Sequence, residues 1–210
     1  MNNKKLKIAV TGSIGSGKSS FCRMIEEKGY PVIKADEISK EILGSDKKVR
    51  EEVEKVFGKE SFINDQINKK FLAEKIFNDP ENVLKINSIL HPHVIKKIDQ
   101  LMNESLTKND LVFVEAALIY EASMEEMFDY VVLVTAYEEI RRRRKVESGK
   151  LSEEDFKKRN SNQISDEEKK KAADFVFENN GSMHELESKT QFLISILKGL
   201  REELIKKGSH

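Results

Sequence analysis

The chain has 210 residues, which predicts a single domain large enough to bury a core without disulfides or structural metals. Its 37 basic and 37 acidic side chains cancel, whereas nucleic-acid binders and membrane-surface proteins usually carry a basic excess, so we expect neither partner. The single cysteine, Cys22, excludes an internal disulfide and suits a reducing compartment, so we expect a cytoplasmic protein.

Short apolar runs alternate with amphipathic helical patterns along the chain. Runs that are hydrophobic on both faces are typical of buried parallel strands, and the alternation predicts a three-layer α/β/α fold of the P-loop NTPase type. The predicted strands are residues 6–11, 30–35, 111–116, 130–134 and 175–177. The predicted helices are residues 19–28, 38–43, 47–57, 69–77, 82–106, 137–147, 152–163 and 183–206.

The spacing of these elements is uneven. About three helices separate the second strand from the third, more than one crossover needs, which predicts an inserted helical substrate subdomain at about residues 59–106. The charged stretch 138–171 is interpreted as a lid, although charge alone favours ordinary surface helices for both segments. The domain would then span residues 1–207, with its core at about 6–58, 107–137 and 172–205 and a candidate tag remnant at 208–210.

A glycine-rich loop follows the first predicted strand. Its Gly-x-x-x-x-Gly-Lys-Ser pattern, between an apolar strand and an amphipathic helix, predicts a phosphate-binding loop, or P-loop, at residues 12–19. Backbone N–H groups and the helix N-terminus form an anion site, Lys18 reaches the β and γ phosphates, and Ser19 ligates Mg²⁺. We therefore predict ATP and Mg²⁺ as cofactors. The predicted loop contacts to ATP are Ser13, Ile14, Gly15, Ser16, Gly17, Lys18, Ser19 and Ser20.

The rest of the sequence helps to distinguish between GTPases, large ATPases and small kinases, all of which can contain a P-loop. A GTPase would need a guanine-reading Asn-Lys-x-Asp segment after a later strand, and the sequence contains none. A large mechanical ATPase would need a longer chain. The sequence therefore favours a small kinase whose acceptor site is built into the same domain.

Acidic residues end two of the predicted strands. Asp36 follows the second strand, near the predicted P-loop edge of the sheet, where a carboxylate can accept the proton of an alcohol acceptor; the alternative is that it caps the next helix. Glu115 follows the third strand and is expected to order the water shell of Mg²⁺; the alternative is a carboxylate that faces solvent.

Four consecutive arginines lie in the predicted lid, at residues 141–144. On a helix they spread around the axis at about 100° intervals, and acidic residues flank them, so a nucleic-acid surface is not favoured. One or two can stabilise charge on a transferred phosphoryl group, and most are expected on the solvated surface.

The segment His91-Pro92-His93 lacks a nearby third metal ligand, so we predict no zinc site there. Pro92 is interpreted as the first residue of a helix.

Taken in order, these segments resemble the dephospho-coenzyme A kinase family from about residue 8 to 181. The P-loop with its Ile-Gly-Ser interior, the acidic strand end at Asp36 and the Leu-His-Pro segment all match. Further matches are residues 118–121, 151–163 and the Ala-Asp-Phe to Asn-Asn-Gly segment at 173–181. The departures are Lys34 in place of a second acid, Ser13 in place of Gly, Ala117 in place of Pro, and Ser148 in place of a second lid arginine.

The resemblance implies transfer of the ATP γ-phosphate to the ribose 3′-hydroxyl of dephospho-coenzyme A by a monomeric enzyme. Asp36 would accept or orient the hydroxyl, and Lys18 with a lid arginine would stabilise the phosphoryl group. The ungapped register places Arg144 in that role, with Arg141 in reserve. The family pattern also implies that Asn179 borders adenine and that His91 and Leu118 contact the acceptor.

Two alternatives remain open at this stage. A nucleoside or nucleoside-monophosphate kinase shares the loop and lid, but its acceptor subdomain would normally offer arginines, and residues 59–98 contain none. A nucleotide-binding regulatory or RNA-associated module would use residues 141–144, against which the zero net charge and Asp36 weigh.

Overall fold

Five strands form the central sheet of this computed structural model, which describes residues 4–77 and 79–207. The candidate tag remnant at 208–210 lies outside the described residues. The strands of the chain are β1 (Leu6–Thr11), β2 (Val32–Lys34), β3 (Phe62–Ile63), β4 (Gln66–Ile67), β5 (Leu111–Glu115), β6 (Tyr130–Thr135) and β7 (Phe175–Glu178). In the sheet the order is β2-β5-β1-β6-β7, with β1 parallel to β5 and β6, and β6 parallel to β7. The predicted three-layer α/β fold with a parallel sheet is confirmed.

All of the predicted helices are present, with ends shifted by at most three residues. They are α1 (Lys18–Glu27), α2 (Ala35–Ser45), α3 (Lys47–Phe57), α4 (Lys69–Phe77), α5 (Pro80–Ser105), α6 (Glu138–Val146), α7 (Glu153–Ser161), α8 (Asp166–Ala172) and α9 (Met183–Lys207). Helix α8 is separate from α7 and begins with a capping box in which Ser165 and Glu168 satisfy each other's backbone N–H groups.

Alternating side chains of the sheet are buried on both of its faces. On one face, Ile8 and Val10 of β1 belong to a fully buried cluster with α1 and α9. Within it the rings of Phe21 and Phe177 lie 5.5 Å apart between centroids, tying α1 to the last strand. On the other face Ala9 and Val114 have no exposed surface either. Burial on both sides accounts for the nearly continuous apolar runs that identified these strands.

The chain divides into two compact units, Lys34–Gln100 and the remainder. The first contains α2, α3, α4, most of α5 and the β3–β4 hairpin, so it groups residues 34–58 with the segment that sequence analysis assigned to a substrate subdomain. The hairpin was not predicted, because two strands of two residues are too short for an alternating pattern. Its turn places Asn64 and Asp65 at φ values of 51° and 63°, and Arg50 pairs with Asp65 at 2.7 Å.

The interpretation of Pro92 as a helix start is wrong. Helix α5 runs without a break from Pro80 to Ser105 and contains Pro92 near its middle. Proline removes one backbone hydrogen bond, but the turns on both sides continue the helix. Among the described residues, no helix is both long enough and apolar enough to span a membrane.

Candidate functional site

The glycine-rich loop links the end of β1 to the start of α1. Gly17 occupies the N-cap position of α1 in the left-handed region, with φ 95° and ψ 11°. Helix α1 begins at Lys18, so the N–H groups of its first turn, including those of Ser19 and Ser20, have no partner within the helix. The loop therefore directs backbone donors and the positive end of a helix dipole toward one point, which is the arrangement that binds phosphate.

Two loop glycines leave room for neighbours that a side chain would displace. A Cβ atom added to Gly15 would lie 2.6 Å from the carbonyl oxygen of Arg141 in α6. One added to Gly17 would collide with the side-chain amide of Asn179. The backbone of the loop is thus packed directly against α6 and against the segment after β7. Only glycine fits at these positions, where φ is also positive.

Lys18 and Ser19 converge on one carboxylate oxygen of Glu115, at the carboxyl end of β5. The Nζ of Lys18 lies 2.8 Å from Oε1 of Glu115, and the Ser19 hydroxyl donates to the same oxygen over 2.6 Å. Glu115 is 7% exposed, so the alternative that it faces solvent is wrong. Burial is possible because the ammonium group and the hydroxyl compensate the loss of water around the carboxylate.

Arg144 lies on α6 and points at the P-loop. Its guanidinium donates to the carbonyl oxygens of Ser16 at 3.3 Å and Asn179 at 2.9 Å, with a longer contact to Gly15 at 3.5 Å. Burial lowers the pKa of Arg144, and the neighbouring charge of Arg143 lowers it further. A cation that is partly desolvated and held only by carbonyl oxygens is well placed to meet an anion.

Asn179 is buried between the loop and the end of β7. Its side-chain amide donates to the carbonyl oxygen of Ser16 at 2.8 Å, and its own N–H donates to the carbonyl oxygen of Thr135 at 2.7 Å. The structure therefore brings together the P-loop, Glu115, Arg144 and Asn179, four of the features singled out by sequence.

The arginine run is less exposed than we expected. Arg141 is buried at 5% exposure, Arg142 and Arg144 are half-buried, and only Arg143 is fully exposed. Arg142 is bound on the outside of the helix by Glu139 and Glu153, at 2.7 and 3.0 Å. The expectation that most of the run lies on a solvated surface is wrong, because α6 packs one face on the P-loop.

Asp36 lies in the first turn of α2, within the Lys34–Gln100 unit, and is exposed. Strand β2 ends at Lys34, which is also the N-cap residue of α2 and makes no side-chain capping hydrogen bond. The alternative that Asp36 caps the helix is therefore wrong, and the strand ends one residue earlier than the predicted residue 35. A carboxylate in the first turn is stabilised by the helix dipole.

The two other residues expected to contact the acceptor are both half-buried. His91 lies within α5 in the Lys34–Gln100 unit, and Leu118 lies in the turn after β5, where its carbonyl oxygen accepts the N–H of Ala122 at 3.0 Å. They belong to different compact units, as do Asp36 and Lys18.

Sequence reasoning missed three polar residues around the loop. Gln163 and Asp166 contact Ile14 and Ser13 respectively, and nothing in their local sequence separates them from other polar loop residues. Lys145 of α6 is half-buried, and burial, followed by the charges of Lys150 and Lys18, lowers its pKa. Helical spacing gave one usable signal, since Lys145 lies four residues after Arg141 and so on the same face of α6.

Comparison with known proteins decides the family. The family model described as dephospho-CoA kinase matches residues 6–185, which is most of the chain. The chain belongs to the dephospho-CoA kinase family. The match includes the P-loop, Glu115, Arg144 and Asn179, so the features assembled above lie within the family domain.

Individual relatives agree with this membership. Dephospho-CoA kinase from Chlamydia pneumoniae is 34% identical over 198 residues, which cover 93% of this chain and 98% of that protein. The structure of dephospho-CoA kinase from Campylobacter jejuni is 31% identical with a TM-score of 0.69, covering 92% of this chain and 98% of that one. The crystal structure of a protein from Thermus thermophilus is 32% identical with a TM-score of 0.75, covering 92% and 98%. The chain therefore has the fold of a dephospho-CoA kinase along nearly its whole length.

Proposed function

We propose that this chain transfers the γ-phosphate of ATP to the ribose 3′-hydroxyl of dephospho-coenzyme A, giving coenzyme A and ADP. One observation carries the chemistry: Lys18 and Ser19 at the end of the P-loop meet on the buried carboxylate of Glu115, at 2.8 and 2.6 Å. A lysine, a hydroxyl and an acid at that point are the parts that phosphoryl-transfer enzymes use to hold a triphosphate. Family membership supports the choice of acceptor.

The nucleotide half of the site consists of the loop and the two segments packed on it. Backbone N–H groups of the loop and of the first turn of α1 bind the phosphates, and Lys18 neutralises charge on the β and γ phosphates. Arg144, already directed at the carbonyl oxygens of the loop, stabilises the transferring phosphoryl group. Asn179, which holds Ser16 and lies beside Gly17, borders the adenine.

The donor set at Ser19 and Glu115 fits Mg²⁺. This ion prefers oxygen ligands and keeps several of its own waters, so one hydroxyl and one carboxylate are sufficient contacts from the protein. When bound there, Mg²⁺ would supply positive charge that compensates the negative charge of the phosphates. The Ser19 hydroxyl would ligate it directly, while the Glu115 carboxylate orders its water shell and keeps Lys18 in place.

The residues assigned to the acceptor follow from the family pattern. Asp36 orients the 3′-hydroxyl and accepts its proton, and His91 and Leu118 contact the remainder of the acceptor. Lys34 stands two residues before Asp36, where a second acid is usual, so Asp36 is the carboxylate assigned to the acceptor hydroxyl. We further propose that residues 59–106 form the substrate subdomain and that residues 138–171 close over ATP.

The test is a coupled assay of ADP release over a panel of acceptors. Dephospho-coenzyme A should give a rate well above that with ATP alone, whereas AMP, CMP and adenosine should not. A product with the mass of coenzyme A should appear in step with ADP. Preference for AMP or CMP would instead indicate a nucleoside-monophosphate kinase, and no rate above the ATP-only blank with any acceptor would refute the proposal.

We infer that the enzyme works in the cytoplasm, since a reducing compartment suits its single buried cysteine, Cys22. We also infer that it is a monomer. Light scattering during size-exclusion chromatography tests the second point. A mass near 24.1 kDa supports a monomer, and twice that mass contradicts it.

A further inference from the structure

Asp166, the first residue of α8, contacts three different elements around the P-loop. One of its carboxylate oxygens accepts the hydroxyl of Ser13 in the loop, and the other accepts the hydroxyl of Thr135, at the end of β6, over 2.8 Å. The second oxygen also lies 3.6 Å from Nε of Arg141 in α6. The side chains of Arg141 and Asp166 are only 6% and 15% exposed, so this ion pair is largely removed from water.

The backbone of Ile14, the next loop residue, is held by Gln163, in the turn before α8, and by Arg141 in α6. Its N–H donates to the side-chain carbonyl of Gln163 at 3.0 Å. Its carbonyl oxygen accepts from the guanidinium of Arg141 at 3.3 Å. Arg141 in turn donates to the side chain of Asn160 at 2.7 Å and to the carbonyl oxygen of Ala136 at 3.1 Å. Side chains from α6, from the turn after α7 and from the start of α8 therefore fix Ser13 and Ile14 at the tip of the P-loop.

The segment that carries Gln163 and Asp166 is itself anchored on its other side. Glu121 accepts the N–H of Ile164 at 2.9 Å and lies 2.9 Å from the Nζ of Lys169. Lys169 has no exposed side-chain surface, so this is a buried ion pair. Because Glu121 holds Ile164 and Lys169 in place, the residues between them, including Asp166, keep a fixed position against the loop.

We propose that Asp166 is a positioning residue for the nucleotide phosphates, which fixes the tip of the P-loop through Ser13 and Arg141. Backbone donors bind phosphate well only when they are held within about 0.5 Å of the productive geometry, and ordering them before binding lowers its entropic cost. The tip packs against α6 at Gly15, and α6 also carries Arg144. Asp166 thus fixes the loop and the helix that supplies the phosphoryl-stabilising arginine.

The charge of Asp166 is as necessary as its two acceptor oxygens. Arg141 cannot lose its proton, and a desolvated guanidinium needs a carboxylate within reach. A second acid, Glu138, lies farther from Arg141: its carboxylate is 4.0 Å away and 67% of its side chain is exposed. Solvent screens that pair, so Asp166 supplies the main compensation.

The experiment measures ADP affinity by isothermal titration calorimetry, for the full chain and five variants. Asp166→Ala removes both acceptors and the charge, Asp166→Asn is the isosteric variant, and Ser13→Ala removes one hydroxyl. The double variant Ser13→Ala with Asp166→Ala measures their coupling. Glu167→Gln is the matched control, because Glu167 lies in the same first turn of α8 but pairs with Lys170 on the surface and has 77% of its side chain exposed.

We expect Asp166→Ala and Asp166→Asn to weaken ADP binding about tenfold, the loss that one hydrogen bond to a charged group produces. Ser13→Ala should weaken it about threefold, and should add nothing in the Asp166→Ala background. The KM for the acceptor should stay near wild type, whereas the melting temperature of Asp166→Asn should fall, because Arg141 loses its carboxylate. Glu167→Gln should bind ADP as wild type does.

Affinities of both Asp166 variants within twofold of wild type would overturn the proposal, as would effects of Ser13→Ala and Asp166→Ala that multiply. Should Asp166→Ala fail to fold, Asp166→Asn decides alone. The inference rests on the proposed ATP site but not on the acceptor, because ADP binding is measured without one. Wild-type enzyme that binds ADP but ignores dephospho-coenzyme A would refute the proposed function and leave this test intact.

Discussion

Asp36 is the single carboxylate that the proposed reaction assigns to the acceptor hydroxyl. It lies in the first turn of α2 and is exposed. A carboxylate that a substrate hydroxyl can reach is what a general base requires.

We expect Asp36→Asn to lower turnover about 10²-fold, since it removes the proton acceptor and keeps the shape of the side chain. ADP affinity should be unchanged, because Asp36 is not part of the P-loop. Steady-state kinetics and calorimetry measure the two effects. Glu37→Gln is the control, an exposed acid in the same helical turn. Near-normal turnover of Asp36→Asn would remove Asp36 from the mechanism.

Arg144 and Arg142 make a matched pair, two residues apart on α6. Arg144 faces the carbonyl oxygens of the loop, whereas Arg142 is bound by Glu139 and Glu153 on the outer side. Arg144→Ala should lower kcat/KM for ATP by about 10²-fold, as loss of one group that stabilises transition-state charge does. Arg142→Ala should stay within about twofold, because exposed ion pairs contribute little. Equal losses would show that the register chosen for α6 is wrong.

At the scale of elements, helix α8 is held by a buried ion pair. Lys169 is fully buried and pairs with Glu121, which also accepts the N–H of Ile164. Lys169 and Glu121 make an ion pair rather than an aligned hydrogen bond, since Lys169 Nζ and Glu121 Oε2 have no hydrogen-bond partner among the described residues. Removing one partner of such a pair leaves the other charge buried without compensation, and the stability lost is larger than the net contribution of the intact pair.

Lys169→Met should therefore lower the free energy of unfolding by about 3 kcal/mol, because Glu121 is left buried without its cation. The control is Lys170→Met on the same helix, whose partner Glu167 is largely exposed, with an expected change of about 0.5 kcal/mol or less. Urea unfolding followed by circular dichroism measures both. If the two variants lose the same stability, the buried pair does not anchor α8.

For the whole molecule, a ligand that binds only the folded state stabilises it by mass action. ADP at about 100 times its dissociation constant should add about 2.7 kcal/mol, which for a chain of this size raises the melting temperature by about 5–10 °C. Lys18→Ala should show a much smaller shift at the same ADP concentration, because the phosphates lose their principal cation. An equal shift in wild type and Lys18→Ala would place ADP outside the P-loop. Differential scanning calorimetry makes the comparison.

Much of the fold could be predicted because local signals agreed with it. Strand β1 and helix α3 have the predicted bounds, since a doubly buried strand and an amphipathic helix with an Asp46 cap are visible in any window of sequence. The β3–β4 hairpin was not predictable, because it is too short for a periodic pattern. Periodicity predicted a helix over residues 82–106, whereas the interpretation of Pro92 as a helix start was wrong because the turns on both sides of the proline continue the helix.

The sequence by itself determined the P-loop, its place between β1 and α1, and the family, because these depend on residue types at fixed short spacings. The sequence also indicated Glu115, because it ends a predicted strand, but only the tertiary structure showed that Glu115 contacts Ser19 and that Asp166 contacts Ser13. Glu115 lies 96 residues from Ser19 and Asp166 lies 153 residues from Ser13, and no periodicity links residues so far apart. Their meeting depends on parallel strands ending at one edge of the sheet and on α8 folding back against it. Local sequence patterns predict the helices and strands, whereas the packing of those elements in the core decides which charged side chains come into contact.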